Sequence, residues 1–544
     1  MSVTSSLPEE AAAEFDALVV GAGFAGMYML HRLRADGYRT VVLESGGDVG
    51  GTWYWNRYPG ARCDVESVEY AYSFSPQLTE EWNWSERYAA QPEILRYARY
   101  VADRLGLRED IRFRTRVTGA TFDEDAGHWV VSTDGGEVMR ARFLITAVGC
   151  LSSANVPDLP GLDTFRGRWY HTGRWPHEGV DLADKRVAVV GTGSSAIQVI
   201  PAIAGQVAHL TVFQRTPNFS APAANGPLDP ARQRWFKDNR DALTRQARTS
   251  HGGFLIEYGQ RSALDASPEE RLAEFEHRWA HGGIGFLASF NDLLLSEQAN
   301  QFAADFVRDK IRGIVDDPGT VELLLPTGHP IGIKRLCVDT GYYATYNRPN
   351  VTLVDLRRNP IEEIIPTGIR TRGGTFDADV IVFATGYDAI TGTLLSMEIR
   401  GRDGLTLKDK WVAGPSSYLG LMSAGFPNMF TVTGPGSPSV LSNMMVSIEQ
   451  HVEWIAACLS DLRRGCGASA TIEADPRAET AWMKHAAEVA RHTLYVKPDT
   501  WYVGANIPGK PRALMPYVGG VGNYRAMCDD VVARGYEGFI RTPR

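Results

Sequence analysis

Residues 16–44 read DALVVGAGFAGMYMLHRLRADGYRTVVLE, and this stretch decides the fold of the chain. An apolar run enters a glycine turn at Gly21, Gly23 and Gly26, a helix-like segment comes next, and a second apolar run ends at Glu44. This order is typical of a dinucleotide-binding unit, because glycines let the backbone approach a pyrophosphate at a helix N-terminus. A carboxylate after the second strand accepts hydrogen bonds from ribose hydroxyls but repels a 2′-phosphate. The unit is therefore predicted to hold FAD or NAD.

The same pattern occurs a second time further along the chain. The run KRVAVV enters a turn at Gly191 and Gly193, Ala196 takes the third position, and the apolar run LTVFQRTP comes after it. The acid that ends the first unit is missing here, and Arg215 with Thr216 stands in its place. Because a guanidinium can bind a 2′-phosphate with two parallel hydrogen bonds, the second unit is predicted to bind NADPH.

A ring-rich segment, FRGRWYHTGRWP at residues 165–176, joins the two units. Glycines interrupt it and Pro176 prevents a helix from continuing at its end, so an irregular linker is predicted. Composition alone favours a packed linker with buried rings over a catalytic role for His171. A second ring-rich segment, GGTWYWNRYPGARCD at residues 50–64, is by composition a packed loop closed by the turn at residues 58–60. The alternating stretches in residues 111–149 predict a β-meander.

Together these two ring-rich segments resemble the fingerprints of type I Baeyer–Villiger monooxygenases, flavoenzymes that insert oxygen beside a carbonyl group. The first match consists of Phe165, Gly167, His171, Trp175 and Pro176, and the second of Gly51, Trp53, Tyr58, Pro59, Gly60 and Asp64. The resemblance covers nearly the whole chain. The loop GPGSPSVLSNM at residues 434–444 is most similar to the phenylacetone and steroid monooxygenase branch.

The resemblance implies an α/β fold with two Rossmann-like dinucleotide-binding domains, for FAD and NADP, and a helical insertion. It implies that NADPH reduces FAD and that O₂ then forms a C4a-peroxyflavin. This species would attack an aryl, cyclic or steroid-like ketone to give an ester or lactone, with release of NADP⁺ and water. In such a reaction a permanent cation beside the oxygen keeps it nucleophilic, because a guanidinium does not give up its proton.

The resemblance also assigns site residues. Its catalytic residues fall on Arg335, on Asp64 as the partner of that cation, and on His171 in the linker. Cofactor contacts fall on Gly21, Gly23, Gly26, Glu44, Thr52, Trp53, Asp64, Val117, Met444, Gly191, Gly193, Ser194, Ser195, Gln198, Arg215, Thr216, Lys334 and Trp501. Substrate contacts fall on Val65, Cys150, Leu151, Leu336, Val440 and Leu441. Cys150 replaces the polar amide expected of phenylacetone-type relatives, so their substrate scope does not transfer.

The predicted division of the chain is residues 1–150 for the first part of the FAD domain, 151–220 for the linker and first part of the NADP domain, 221–330 for the helical insertion, 331–380 for the second part of the NADP domain and 381–544 for the second part of the FAD domain. Within the insertion the first strand signal is VELLLP, at residues 321–326, and its many charges are typical of solvated faces. The segment 379–388 is predicted to be a buried strand that crosses back to the flavin domain.

Composition bounds the remaining possibilities. A chain of 544 residues with 44% apolar content is too long for one core and fits two or three domains. A net charge of −8 without a basic stripe argues against nucleic acid as a partner. No apolar run of about 18 residues and no signal-peptide pattern is present, which predicts no membrane insertion and a cytoplasmic location. Six cysteines without paired or metal-ligand spacing predict free thiols and no metal site.

The expected partners are the ketone and O₂, and the expected assembly is a monomer or a weak homo-oligomer. Two other functions share both nucleotide sites: a flavin monooxygenase that oxidises nitrogen or sulfur, and a redox sensor that binds FAD and NADPH without turnover. A disulfide reductase is disfavoured, because Cys63 stands alone after the first glycine turn. Ketone-dependent NADPH oxidation with matching oxygen uptake would separate these functions.

Overall fold

The computed structural model describes residues 14–467, 469–497 and 499–543. Residues 1–13, which carry most of the segment inspected for a signal peptide, lie outside these ranges. The described residues form a large mixed sheet and a parallel sheet with flanking helices, three smaller sheets, and a block of helices inserted between the parts of the second unit. This is the α/β architecture that the sequence predicts.

The first unit forms as the sequence of residues 16–44 predicts. Its region contains β1 (Phe15–Val20), α1 (Phe24–Ala35), β2 (Thr40–Leu43), α2 (Thr52–Trp55), α3 (Pro76–Glu81), α4 (Gln91–Arg104), β3 (Ile111–Arg112), β4 (Val117–Asp123), β5 (His128–Thr133) and β6 (Val138–Thr146). Strand β1 pairs in parallel with β2 and β6, while β4, β5 and β6 form an antiparallel meander. Strand β3 instead pairs in parallel with β2, so the meander starts at β4 and not at residue 111.

The second unit and the insertion come next in the chain. They contain β7 (Arg168–His171), β8 (Arg186–Val190), α5 (Ser194–Ile203), β9 (His209–Gln214), β10 (Ser220–Pro222), α6 (Pro230–Asp238), α7 (Arg240–Thr249), α8 (Pro268–His281), α9 (Glu297–Ile314), α10 (Pro318–Leu324), β11 (Cys337–Asp339), α11 (Tyr342–Thr345), β12 (Val351–Asp355), β13 (Ile361–Ile365), β14 (Gly368–Thr371), β15 (Gly374–Asp377) and β16 (Val380–Phe383). The second sheet is parallel throughout, in the order β12-β9-β8-β16-β7. Strands β10 and β11 pair with each other outside this sheet and close the two ends of the insertion.

The C-terminal part completes the first unit. It contains α12 (Gly392–Leu395), β17 (Glu398–Arg400), α13 (Leu407–Lys410), β18 (Met429–Thr431), α14 (Met444–Cys466), β19 (Thr471–Ala474), α15 (Pro476–Arg491), α16 (Val521–Ala533) and β20 (Phe539–Thr542). Strand β17 pairs with β4, and β18 pairs with β6, so the returning chain extends the first sheet. Single 3₁₀ turns lie at Arg108–Asp110, Leu162–Thr164, Thr172–Arg174, Ile284–Ala288, Ser439–Leu441, Leu494–Val496 and Trp501–Val503.

Two local predictions are wrong. Residues 321–326 do not form a strand, because Asp317 caps a helix through the Thr320 N–H at 2.7 Å and Pro318 occupies its first position. The linker at residues 165–176 is not irregular throughout, since β7 forms the edge of the second sheet beside β16. Edge strands tolerate polar residues on their outer side, so this strand lacks the apolar run that would have revealed it.

The buried strand predicted within residues 379–388 forms as β16 and pairs with strands of the second sheet on both sides. The crossing to the flavin domain therefore comes after Phe383. The insertion packs against the second unit, because its Phe275, Phe286 and Phe306 belong to the same apolar core as Ile197 of α5. The insertion and the second unit thus share one core.

Candidate active site

A cleft of about 3270 Å³, open mouth included, lies between the two nucleotide-binding units. Among the residues predicted for the site, its wall contains Gly21, Gly23, Glu44, Thr52, Trp53, Asp64, Val65, Val117, Cys150, Leu151, Ser194, Ser195, Gln198, Arg335, Val440, Met444 and Trp501. Leu336 and Leu441 line a smaller pocket on the other side of Arg335. Gly26, His171, Gly191, Gly193, Arg215, Thr216 and Lys334 are on neither wall.

The glycines of the first turn are required by close backbone contacts. A Cβ atom on Gly21 would lie 2.7 Å from the Ala147 carbonyl oxygen, and one on Gly26 would lie 1.8 Å from the Gly21 carbonyl oxygen. Helix α1 begins directly after Gly23, without a side-chain cap, so its first N–H groups are available at the cleft. This is the cradle that a pyrophosphate requires.

Glu44 is buried, with 5% of its surface exposed, and lies on the cleft wall. One carboxylate oxygen accepts the Ala22 N–H at 2.7 Å, and the other accepts the Gly46 N–H at 2.6 Å. The carboxylate therefore fastens the glycine turn to the loop after β2, in addition to presenting negative charge to the cleft.

The second turn repeats the first in detail. The Gly21 N–H donates to the Leu43 carbonyl at 2.8 Å, and the Gly191 N–H donates to the Phe213 carbonyl at 3.0 Å. These matching hydrogen bonds make Gln214, the residue after Phe213, the structural counterpart of Glu44. The counterpart proposed from the sequence, Arg215, is wrong by one position.

The side chain of Gln214 is turned away from the nucleotide edge. It is 3% exposed, and its amide donates to the Leu323 carbonyl of α10 at 2.6 Å. Arg215 comes directly after it and is exposed. The insertion thus holds a neutral side chain where the first unit has a carboxylate, and the guanidinium comes from the next residue.

Three cations, Arg215, Lys334 and Arg357, lie close together at this edge of the second unit. Burial first, and then the guanidinium groups of Arg215 and Arg357, lower the pKa of Lys334. Within the described ranges, no Asp or Glu oxygen lies within 4.0 Å of the charged group of any of the three cations. Thr216 is tied to the glycine turn, because the Thr192 hydroxyl donates to its carbonyl at 2.7 Å. Unpaired positive charge of this kind suits a phosphate.

Arg335 lines both the cleft and the smaller pocket, and it is held by contacts to Asp64 and to the loop that carries Val440. Its Nε and Nη2 atoms donate to the two carboxylate oxygens of Asp64 at 2.8 and 2.7 Å, and its Nη1 atom donates to the Val440 carbonyl at 3.0 Å. Burial alone would lower the pKa of Arg335, but the charge and hydrogen bonds of Asp64 outweigh it, and the net pKa is raised above its ordinary value. The side chain stays cationic and remains 21% exposed to the cleft.

A pocket of about 840 Å³ lies on the far side of Arg335. Much of its wall comes from the helical insertion, including Phe254, Ile256 and Leu287, while Tyr502 comes from the C-terminal part. No periodic pattern in the sequence indicates this contribution, since Phe254 and Ile256 lie outside regular structure and Leu287 lies in a short 3₁₀ turn between charged helices. The insertion therefore shapes the space beside the cation, although no chemistry was expected of it.

His171 lies at the end of β7. Among the described residues, it forms no hydrogen bond or ion pair with Arg335 or Asp64. Its Nδ1 atom accepts the Gly173 N–H at 3.0 Å. Its ring packs edge-to-face with the Tyr387 ring, with 6.0 Å between the ring centroids. Burial first, and then Arg174, lower the pKa of His171 to about 4, so the ring is neutral at pH 7. The Tyr387 hydroxyl in turn donates to Asn56 of the flavin domain.

Gln198 of α5 is also committed to contacts between the domains. Its side-chain oxygen accepts the Tyr58 hydroxyl at 2.8 Å, and its nitrogen donates to the Arg62 carbonyl at 3.0 Å. A Cβ atom on Gly60 would lie 2.4 Å from the Gln198 carbonyl oxygen. The Tyr-Pro-Gly turn of the second fingerprint is therefore a contact surface for the second unit.

All six cysteines are free thiols, at positions 63, 150, 337, 458, 466 and 528. Burial raises the pKa of Cys63 and of Cys150 above the ordinary value. The described part of the chain contains no group of three or more His, Cys, Asp or Glu side chains arranged to hold a metal ion. Among the helices of that part, none combines the length and the apolar character needed to cross a membrane.

Comparison with known proteins adds to this geometry. A family model described as pyridine nucleotide-disulphide oxidoreductase matches residues 18–241. A Baeyer-Villiger monooxygenase of Pseudooceanicola batsensis is 44% identical over 546 residues, covering 99% of both chains. Phenazine N-monooxygenase PhzNO1 of Lysobacter antibioticus is 44% identical over 530 residues, covering 97% of both. A solved structure described as oxidized steroid monooxygenase bound to NADP is 51% identical, covers 97% of this chain and 100% of that one, and superposes with a TM-score of 0.93.

Proposed function

This chain belongs to the Baeyer–Villiger monooxygenase family, and on that premise we propose that its cleft converts a ketone, O₂ and NADPH into an ester or lactone, NADP⁺ and water. The single observation that carries the proposal is Arg335, a permanent cation held between Asp64 and the Val440 carbonyl where the two nucleotide-binding units meet.

The residues of the first unit fit FAD. Gly21 and Gly26 leave the space that a side chain would fill, helix α1 presents uncapped N–H groups, and Glu44 faces the cleft. When bound there, FAD accepts electrons from NADPH and supplies the activated oxygen. Thr52, Trp53, Val117 and Met444 line the same wall and would contact it.

The second unit fits NADPH. Helix α5 begins after Gly193 without a side-chain cap, which suits the pyrophosphate. The cations Arg215 and Lys334, which have no acidic partner in the described ranges, suit the 2′-phosphate. Trp501 lies on the cleft wall and would contact the nicotinamide end.

Arg335 would act on the substrate in two ways. Its guanidinium lies beside the pocket lined by Leu336 and Leu441, so it can donate to a carbonyl oxygen held there. Negative charge develops on that oxygen during insertion, and a fixed cation with little access to water stabilises it. Because its pKa is raised, Arg335 does not transfer a proton to the attacking oxygen, which therefore stays nucleophilic.

The pocket beside Arg335 supports a bulky, largely apolar ketone. Its walls are mainly aliphatic and aromatic, and Val65, Cys150, Leu151 and Val440 continue the apolar surface on the cleft side. We propose an aryl, cyclic or steroid-like ketone as the substrate class. The carbonyl would point toward Arg335 and the ring toward the insertion.

Removal of the cation tests the proposal. Arg335→Ala is expected to retain FAD and to be reduced by NADPH, yet to lose about 10² to 10³ in ester formation, equivalent to about 2.7–4 kcal/mol. NADPH oxidation should then release hydrogen peroxide. Arg335→Lys keeps a charge without the planar fork and should fall between the two.

The matched control is Arg186→Ala, which removes a guanidinium from a surface ion pair with Asp377 and Asp379 far from the cleft. Ester is measured by product chromatography, reduction by stopped-flow flavin absorbance, and peroxide by a coupled assay. Near-normal ester yield from Arg335→Ala would exclude Arg335 from the role proposed.

A second function has one specific observation in its favour. The relative from Lysobacter antibioticus is named for N-oxidation and is as similar to this chain as the Baeyer-Villiger relative. Oxidation of an aromatic nitrogen requires an electrophilic oxygen, whereas a fixed cation without an acidic proton favours a nucleophilic one. Parallel assays with ketones and with nitrogen heterocycles decide between them, and an N-oxide as the main product would favour the second function.

Location and assembly stay proposals. A cytoplasmic enzyme that is a monomer or a weak homo-oligomer is expected from the sequence. Cell fractionation and gel filtration over a range of concentrations test both statements.

A further inference from the structure

Cys150 lies between the flavin-side sheet and the loop that carries Val440. Its thiol is 3.0 Å from the Ser439 hydroxyl, 3.5 Å from the Thr433 carbonyl and 3.7 Å from the Thr433 hydroxyl. Its own carbonyl accepts the Ile390 N–H at 2.7 Å. Cys150 therefore contacts two segments that are distant from it in sequence, one at Ile390 and one from Thr433 to Ser439.

The three residues that Cys150 contacts share an unusual backbone. Ile390, Thr433 and Ser439 have φ values of 68°, 55° and 43°. Residues with side chains adopt this left-handed region reluctantly, and β-branched residues such as Ile and Thr do so least of all. Of the ten non-glycine residues with positive φ in the described ranges, three bond to Cys150. Such conformations persist only where surrounding contacts hold them.

Ser439 directly precedes Val440, the residue whose carbonyl binds the cation Arg335. Ser439 begins the 3₁₀ turn Ser439–Leu441, and the carbonyl of Val440 in that turn accepts the Arg335 Nη1 hydrogen bond at 3.0 Å. Thr433 is held a second time, because its N–H donates to the Nδ1 atom of the buried His451 at 2.9 Å. The side-chain oxygen of Ser439 hydrogen-bonds only to the Cys150 thiol among the described residues. Its carbonyl accepts the Ser442 N–H at 3.0 Å and the Ser442 hydroxyl at 2.7 Å, contacts that lie within the same turn and do not tie it to the flavin-side sheet.

We propose that Cys150 is a positioning residue, whose thiol and carbonyl hold Ser439, Thr433 and Ile390 so that the Val440 carbonyl keeps Arg335 directed into the cleft. The thiol is suited to this task because it is 7% exposed and bonds at longer range than a hydroxyl would. This inference rests on the proposed function of Arg335 and assigns Cys150 a role in holding the loop, in addition to its place on the apolar cleft wall.

The experiment compares Cys150→Ala, Cys150→Ser and Ser439→Ala with the matched control Cys458→Ala. Cys458 is also buried, lies in the middle of α14 and has no side-chain hydrogen bond among the described residues. The change of thiol to methyl is thus the same in both cysteine variants, while only one of them contacts the loop.

The first readout does not depend on turnover. Amide hydrogen exchange over residues 433–446 is expected to become about tenfold faster in Cys150→Ala and in Ser439→Ala, and to stay unchanged in Cys458→Ala. Cys150→Ser retains a hydrogen-bonding group and should restore most of the protection. Equal exchange in Cys150→Ala and Cys458→Ala overturns the proposal, and so does wild-type exchange in Ser439→Ala.

The second readout is the fraction of oxidised NADPH that yields ester. That fraction is expected to fall about tenfold in Cys150→Ala, while the rate of flavin reduction by NADPH stays the same, because a small displacement of a catalytic group affects only the step in which it acts. If Cys150→Ala does not fold, Ser439→Ala and Cys150→Ser decide by the same criteria. Absence of ester from the wild-type enzyme with every ketone would contradict the proposed function, whereas the exchange results judge the role of Cys150 separately.

Discussion

The unit β1–α1–β2 and the unit β8–α5–β9 have the same glycine turn and the same backbone hydrogen bond across it, but they differ in the residues just after the second strand. In the first unit Glu44 is buried and ties the turn to the next loop. In the second, Gln214 points away and the exposed Arg215 comes next. The first unit thus has a buried acid after its second strand, and the second unit has an exposed guanidinium one residue further on.

The difference suits the same strand–turn–helix scaffold to two nucleotides that are held in different ways. A buried carboxylate that is part of the turn suits a nucleotide that stays bound, since removing the nucleotide would expose the whole wall. A cation cluster with exposed Arg215 and Arg357 beside a half-buried Lys334 suits a nucleotide that enters and leaves in each cycle, because charge-assisted contacts form and break without unfolding the turn.

The third glycine position should break the first unit and leave the second intact. Gly26 and Ala196 occupy the same place, 5 residues after Gly21 and Gly191. Gly26→Ala puts a methyl group 1.8 Å from a backbone oxygen, so we expect a loss of more than about 3 kcal/mol in stability and little bound flavin. Ala196→Gly should cost only about 1 kcal/mol. Flavin absorbance per protein and thermal unfolding measure both variants, and a flavin-loaded Gly26→Ala protein would contradict the prediction.

Charge at the edge of the second unit should decide cofactor choice. Arg215→Ala is expected to raise the Michaelis constant for NADPH about tenfold and to leave that for NADH nearly unchanged, because only NADPH carries the 2′-phosphate. Steady-state kinetics with both cofactors provide the measurement. Equal losses with NADPH and NADH would remove Arg215 from the phosphate site.

The contact of His171 with Tyr387, between the two units, should affect the turnover rate more than flavin binding. His171→Ala removes the ring that packs against Tyr387, which bonds to Asn56 in the flavin domain. Turnover is expected to slow severalfold, by about 1 kcal/mol in activation free energy, while flavin content stays at the wild-type level. The control is His209→Ala on β9, whose ring bonds only to Thr352 within the second sheet among the described residues. An apoprotein from His171→Ala would instead indicate a role in folding.

Lys334 should make NADPH binding depend on pH. Its pKa is lowered by burial, Arg215 and Arg357, so the ammonium is complete at low pH and is lost as pH rises through a value below that of an ordinary lysine. Affinity for NADPH should therefore weaken severalfold, by about 1 kcal/mol, from neutral to alkaline pH. Lys334→Arg should remove this dependence, because a guanidinium does not titrate in that range. Titration calorimetry with NADPH, and with NADH as the control, gives the answer.

Local patterns in the sequence determined the two units, their order and their opposite charges. Glycine spacing, apolar runs and the residue after the second strand are all set within about 30 residues, and the physics of a strand–turn–helix is local. The pairing of Asp64 with Arg335 has no local signal, because the two residues are 271 positions apart, and it was expected only from the family resemblance.

Spacing alone places Gln214 opposite Glu44, since each follows the first glycine of its turn by 23 residues, but only the folded chain shows that α10 of the insertion turns the Gln214 side chain away from the nucleotide edge. The tertiary structure also revealed the edge strand β7, the helix at Pro318–Leu324 and the wall that the insertion builds beside Arg335. Cys150 has no local signal at all, because its partners Ile390, Thr433 and Ser439 lie more than 200 residues away. Contacts between distant segments depend on how sheets and loops pack, and that information is spread over the whole chain.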